Sequence, residues 1–334
     1  MTTLPLPTSV AAIDPRSDAR ALRRRSVANL LRMGHCAPTV MQTLLDASAT
    51  DAPWLVKLTA GLPGGIGNTG GECGGVTAPL ILLGLRYGRQ PDADGLPIIV
   101  AKGLELLRRF GSMKGTISCR EIRGEARVPL KCIGVVRDAP ELCAQCLHSD
   151  CDGSVPVAER EAYARLYAHW AAERFHCTQS VFRHLAARHP VDEQVLAAGS
   201  GFMGGTVFTG RTCGALTAGV MALGLKLGEI ENSRLRVIHM IAMMAVGGDA
   251  FADDVNAFNK SMNLGHELSL WFAAEFGGTQ CRGITQCDFR TTDGVERYMN
   301  GGQCARCEEI ARTVATRVAM MIDQVDVGER KSSH

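Results

Sequence analysis

Apolar residues recur at helical spacing over most of this 334-residue chain. In AYARLYAHWAAERFHCTQSVFRHLAAR, residues 162–188, the apolar face is Leu166, Trp170, Ala171 and Phe175. In CEEIARTVATRVAMMIDQV, residues 307–325, it is Ile310, Val314, Val318, Met321 and Ile322. Side chains three and four apart share one face of an α-helix, so both stretches predict amphipathic helices. Strand-like alternation is rare and short; IIVA and IGVV fit a strand or a buried helix equally. The pattern predicts an all-α, or mainly α, fold.

Over longer distances the pattern repeats, the mark of a duplicated unit. GGECGGVTAPLILLGLRYG, residues 70–88, returns as GRTCGALTAGVMALGLKLG, residues 210–228. Cys73 aligns with Cys213, Gly74 with Gly214 and Gly84 with Gly224, each 140 residues apart. A glycine-rich approach precedes each block, GLPGGIGNTG in one and GSGFMGGTVFTG in the other. Further upstream stand His35-Cys36 and His176-Cys177, 141 residues apart. Downstream, FGSMKGTISCREI around Cys119 matches FGGTQCRGI around Cys281 at a spacing of 162. The larger spacing predicts an insertion in the second copy, assigned to a Met-rich helix and the GGDAFADD turn. Two tandem helical modules forming a pseudo-dimer are expected, over residues 20–150 and 158–330. The polar HSDCDGSVP stretch, with Gly153 and Pro156 as breakers, would link them.

Composition removes several function classes. Charged residues are 21% and the formal net charge is +2, which gives no reason to invoke nucleic acid or an acidic membrane surface. Aromatics at 5% are too few for a base-stacking platform. Arg20, Arg23, Arg24 and Arg25 come late, before an amphipathic stretch, unlike a secretory signal. No uninterrupted apolar run approaches the ~20 residues a membrane helix needs. The expectation is a soluble, cytoplasmic chain without membrane insertion.

Cysteine is the outlying count, at 13. In a long chain without an export signal, metal or redox chemistry is expected rather than a disulfide framework. The repeat puts cysteines at four corresponding places. The first set is Cys36, Cys73, Cys119 and Cys132. The second is Cys177, Cys213, Cys281 and Cys307, with Cys304 competing for the last place. Four thiolates are the complement of an iron–sulfur cluster and equally of structural zinc. Cys73 and Cys213 follow glycine loops and open helices, where free N–H groups should lower a thiol pKa.

Other features remain beside these sets. Cys143/Cys146 and Cys304/Cys307 have C-x-x-C spacing, which suits metal, a redox couple or neither. Cys151 and Cys287 are expected as buried core. His35 and His176 could ligate iron or hydrogen-bond a cluster, but a structural role is favoured. Met240, Met243 and Met244 read as packing rather than copper ligands. The glycine loops match neither a phosphate-binding loop nor a dinucleotide fingerprint and are expected to shape a pocket above the helix starts.

Cys213-Gly214-Ala215-Leu216-Thr217-Ala218-Gly219, with the flanking cysteines, resembles the motif of the C-GCAxxG-C-C family of redox proteins. The first copy departs from it at Gly75 and Pro79. The resemblance covers nearly the whole chain in tandem and implies a redox-active role. A relative of that family, split-Soret cytochrome, combines haem with a cysteine-bound iron–sulfur site and works as a dimer, so the resemblance implies a fused pseudo-dimer. Haem attachment does not carry over, because neither C-x-x-C is followed by histidine.

Three functions stay open. The first is an iron–sulfur redox or electron-transfer protein with an unidentified redox partner, cofactor type undetermined. The second is a metal-free thiol-disulfide oxidoreductase or sulfur carrier, with Cys73 or Cys213 as the attacking thiolate. The third is a non-catalytic zinc-binding protein. Assembly into a homo-oligomer is open too. No Ser-His-Asp order or paired-carboxylate signature assigns an enzymatic reaction.

Overall fold

The computed structural model describes residues 19–88, 95–124, 130–149, 155–173, 176–230, 234–245 and 259–332. Among these residues there is no β-strand; two isolated bridges, Glu72 with Ser118 and Thr212 with Gln280, are the nearest approach to one. The first half is α1 (Ala19–Met33), α2 (Cys36–Ala47), α3 (Pro53–Leu58), α4 (Gly74–Tyr87), α5 (Gly95–Lys114), α6 (Cys119–Arg123) and α7 (Leu130–His148). The second is α8 (Val157–Glu173), α9 (Cys177–Ala186), α10 (Glu193–Ala198), a 3-10 turn (Gly199–Phe202), α11 (Gly214–Leu227), α12 (Arg234–Ala245), α13 (Lys260–Phe276), α14 (Cys281–Thr285), α15 (Thr292–Asn300) and α16 (Gln303–Ser332). IIVA lies in α5 and IGVV in α7, so both ambiguous runs are helix.

The halves share one apolar core. α4 and α11 are apolar all round and buried over nearly their whole length. Each packs on the short helix of the opposite half, α4 on α10 and α11 on α3. Glycine permits this approach. A Cβ at Gly84 would stand 2.6 Å from the carbonyl oxygen of Ala198, and one at Gly224 would stand 2.6 Å from that of Lys57. The contacts are reciprocal across a pseudo-two-fold axis, as in an isologous dimer.

The glycine loops before α4 and α11 share an uncommon backbone. Residues 64–68 all have positive φ, at 72°, 86°, 53°, 64° and 55°. Residues 204–208 match them at 56°, 71°, 60°, 45° and 62°. Each is a short left-handed turn, a conformation that costs L-residues roughly 1–2 kcal/mol apiece. The second copy places Thr206, Val207 and Phe208 there, so packing must hold them. All three are fully buried.

One expectation needs correction. The helical pattern over residues 162–188 is two helices, α8 and α9, with His176 extended at φ −154° and capping α9. Its Nδ1 accepts the Gln179 N–H at 3.4 Å, which ends the continuous register. The insertion read from the spacing holds α12, whose Met240 is buried. The GGDAFADD turn and Cys151 lie outside the described residues. A second insertion, carrying α15, has no counterpart among the described residues of the first half.

In α7, Pro140 has no N–H for the Val136 carbonyl four residues back. The buried Ser26 hydroxyl of α1 donates to that oxygen at 2.6 Å, which ties α1 to α7. Among the described residues no helix is long and apolar enough to cross a membrane.

Candidate functional site

Six of the eight matched cysteines stand at or beside a helix start. Cys36, Cys119, Cys177 and Cys281 are the first residues of α2, α6, α9 and α14. Cys73 and Cys213 cap α4 and α11 in extended conformation. Cys132 is the third residue of α7 and Cys307 the fifth of α16.

Backbone bonds clamp the second and third cysteines of each half together. Cys73 N–H donates to the Ile117 carbonyl at 2.8 Å and Cys119 N–H to that of Gly71 at 2.6 Å. Cys213 N–H donates to Thr279 at 2.8 Å and Cys281 N–H to Arg211 at 2.6 Å. The first cysteine meets them where a glycine leaves room. A Cβ at Gly74 would stand 2.5 Å from Cys36 Sγ, and one at Gly214 would stand 2.6 Å from Cys177 Sγ. The invariant frame of the repeat thus has a steric cause: the residue after each capping cysteine yields its space to a sulfur.

The last cysteines complete two clusters. Negative charge on any one of Cys36, Cys119 and Cys132 opposes ionisation of Cys73, and Cys36 and Cys132 act likewise on Cys119. In the second half Cys213, Cys307 and Cys177 oppose ionisation of Cys281, and Cys213 and Cys177 oppose that of Cys307. There the four thiols line one cavity with Trp170, Phe289 and Tyr298. Cys73, Cys119, Cys177, Cys213 and Cys281 are buried, while Cys36, Cys132 and Cys307 are half-buried.

Burial decides the charge state, against the expectation of lowered thiol pKa values. It pushes Cys73 and Cys281 well above the ordinary range, with the neighbouring thiols adding to the effect. Burial, then the neighbouring Cys36, takes Cys132 up to about 12; burial, then Cys177, does the same to Cys213. Backbone N–H groups work the other way, from Gly75 on Cys73 and from Ala215 and Leu216 on Cys213, but do not prevail. The left-handed turns supply part of this field: Gly64 N–H is directed at Cys36 and Gly204 N–H at Cys177. Such concave arrays of amides suit anionic sulfur.

The remaining candidates sit elsewhere or do other work. Cys143 and Cys146 are buried in α7; Val318 and Met321 take the corresponding places in α16. Cys287 is buried and its thiol donates to the Thr285 carbonyl at 3.2 Å. Cys304 lies with Tyr298 beside Cys307. His35 and His176 are buried and held neutral, burial lowering each to about 4. Among the described residues all cysteines are free thiols, and no three acidic, histidine or cysteine side chains form a ready-made metal site.

A model of the family described as "Putative redox-active protein (C_GCAxxG_C_C)" matches residues 34–146 and again 175–321. The chain belongs to the C-GCAxxG-C-C family, twice over. Its role is accordingly a redox one, and the two matches are the two halves of the pseudo-dimer. No curated protein and no solved structure matches it. In this C-GCAxxG-C-C protein the donor set suits a thiolate-bound centre: four thiols per half, space made for sulfur by Gly74 and Gly214, and amides aimed at the first sulfur.

Proposed function

We propose that this protein carries electrons on two cysteine-bound iron–sulfur centres, one in each half. Cys36, Cys73, Cys119 and Cys132 would hold the first, and Cys177, Cys213, Cys281 and Cys307 the second. The observation that carries this reading is the recurrence in both halves of four neighbouring thiols, six of the eight at or beside helix starts, with matching backbone clamps. A bound centre would supply one-electron chemistry at sulfur-ligated iron.

The chain's own residues would do the rest. The helix-start amides and the Gly64 and Gly204 N–H groups would hydrogen-bond anionic sulfur and favour the reduced state. The enclosing core would keep water away. Glycines 74 and 214 would let sulfur and backbone approach closely. A cytoplasmic location agrees with the free thiols, because cytosolic reductants keep cysteine reduced.

Burial speaks against the metal-free thiol reading. An attacking thiolate needs a lowered pKa and access, whereas Cys73 and Cys213 are buried and raised. Structural zinc uses the same four thiols and is separated by analysis of the bound metal. Anaerobically purified protein should contain iron and acid-labile sulfide, with visible absorbance that bleaches on dithionite. Zinc without sulfide, or neither after reconstitution, would overturn the proposal.

A further inference from the structure

The spacing from the third to the fourth cysteine differs between halves. Twelve residues separate Cys119 from Cys132, and 25 separate Cys281 from Cys307. The added residues build α15, which packs between α8 and the start of α16. Thr291 caps it, accepting the Gly294 N–H at 3.1 Å. Gly294 lies so close to the Asp288 carbonyl that a Cβ would stand 2.0 Å from its oxygen. The inserted helix is therefore held firmly against the chain before it.

α15 delivers one polar group into the second cavity. Tyr298 is 1% exposed and lines that cavity with Cys177, Cys213, Cys281 and Cys307. Its ring is fixed edge-on by Phe289, centroids 5.1 Å apart at 78°, and by His169, 6.1 Å apart at 86°. No nitrogen or oxygen partner is found for the buried hydroxyl, which instead faces the Cys307 and Cys304 thiols. A neutral thiol is a weak acceptor, so the hydroxyl gains a strong hydrogen bond only when one of these sulfurs is anionic. The first half meets its cysteines differently, with the Arg123 and Arg120 guanidinium groups beside Cys119.

We infer that Tyr298 is a positioning residue for the second centre, donating its O–H to the sulfur of Cys307 when that sulfur is anionic, and so making the two centres inequivalent. This rests on the iron–sulfur reading above. Adding one electron to a thiolate-bound centre increases negative charge on its sulfurs. A donor aimed at one of them stabilises the reduced form and raises that couple's potential. Cys307 supplies the acceptor, and no proton leaves the phenol.

Tyr298→Phe removes the hydroxyl and keeps the ring, so the fold and the iron and sulfide content should stay unchanged. In an anaerobic potentiometric titration one couple should move to lower potential and the other should not move. If iron and sulfide are retained and neither couple shifts, or both shift alike, the inference about Tyr298 is wrong while the iron–sulfur reading stands. If the purified chain holds no iron and sulfide, the iron–sulfur reading fails, and the inference about the second centre falls with it.

Discussion

Glu72 reaches across the pseudo-two-fold axis to Thr212, the residue that occupies its own position in the second copy. The carboxylate is buried at 1% exposure and accepts from Thr212 Oγ1 at 2.5 Å, Thr212 N–H at 3.1 Å and Thr206 Oγ1 at 2.8 Å. Thr206 is one of the strained left-handed residues, so one carboxylate both joins the halves and pins a strained turn. It also adjoins Cys73, placing the junction beside the first thiol cluster.

Replacing Glu72 tests that junction. Glu72→Leu would leave two hydroxyls and an amide buried without their acceptor, at a cost of about 3 kcal/mol or more. A thermal midpoint lowered by roughly 4–6 °C is expected for a chain of this size. Glu72→Gln keeps one acceptor oxygen and should lose less than half as much. Equal losses in the two variants would show that the hydrogen bonds do not hold the halves together.

The glycines after the capping cysteines make a second test. Gly74→Ala and Gly214→Ala put a methyl group 2.5 and 2.6 Å from Cys36 Sγ and Cys177 Sγ. Each should displace its sulfur and lower metal retention in its own half, read as roughly half the bound metal lost, with destabilisation of about 1–3 kcal/mol. Gly283→Ala in α14 meets nothing within 4 Å and serves as the control. It should be neutral or slightly stabilising, as helical glycine is about 0.5–1 kcal/mol worse than alanine. Full metal content in Gly74→Ala and Gly214→Ala would remove the steric role.

The pH dependence of the metal-free chain follows from burial. Cys132 and Cys213 rise from an ordinary value near 9 to about 12. Between those values the folded state binds more protons than the unfolded one, so stability falls as pH rises above 9. His35 and His176 fall from 6.5 to about 4, so the unfolded state binds more protons in that interval and stability falls as pH drops below 6.5. Thermal midpoints should form a plateau between about 6.5 and 9. With metal bound, the ligating thiolates no longer titrate and the alkaline loss should shrink. A midpoint indifferent to pH from 9 to 11 in the metal-free chain would contradict the burial of these thiols.

Much of the architecture was legible because it repeats. Helical spacing of apolar residues predicts the all-α class, and the aligned blocks predict two related halves. The spacing that grows to 162 residues at Cys281 marks α12. A further growth to 175 at Cys307 is the signal for α15, and it is visible only once Cys132 and Cys307 are aligned. Tyr298 carries no motif. Its meaning depends on an inserted helix turning one hydroxyl toward a cavity, and an isolated tyrosine in a polar stretch does not announce that.

The sequence by itself determined the helical class, the duplication, the family and the cysteines that correspond between copies. These depend on local periodicity and on spacing, which linear order preserves. Tertiary structure alone decided that the halves share one core, that Glu72 joins them, and that thiols at helix starts are raised rather than lowered in pKa. Those outcomes hinge on how deeply each group is buried and on what lies across the axis. Desolvation of a thiol is set by the whole surrounding shell, most of it contributed by residues far away in the chain.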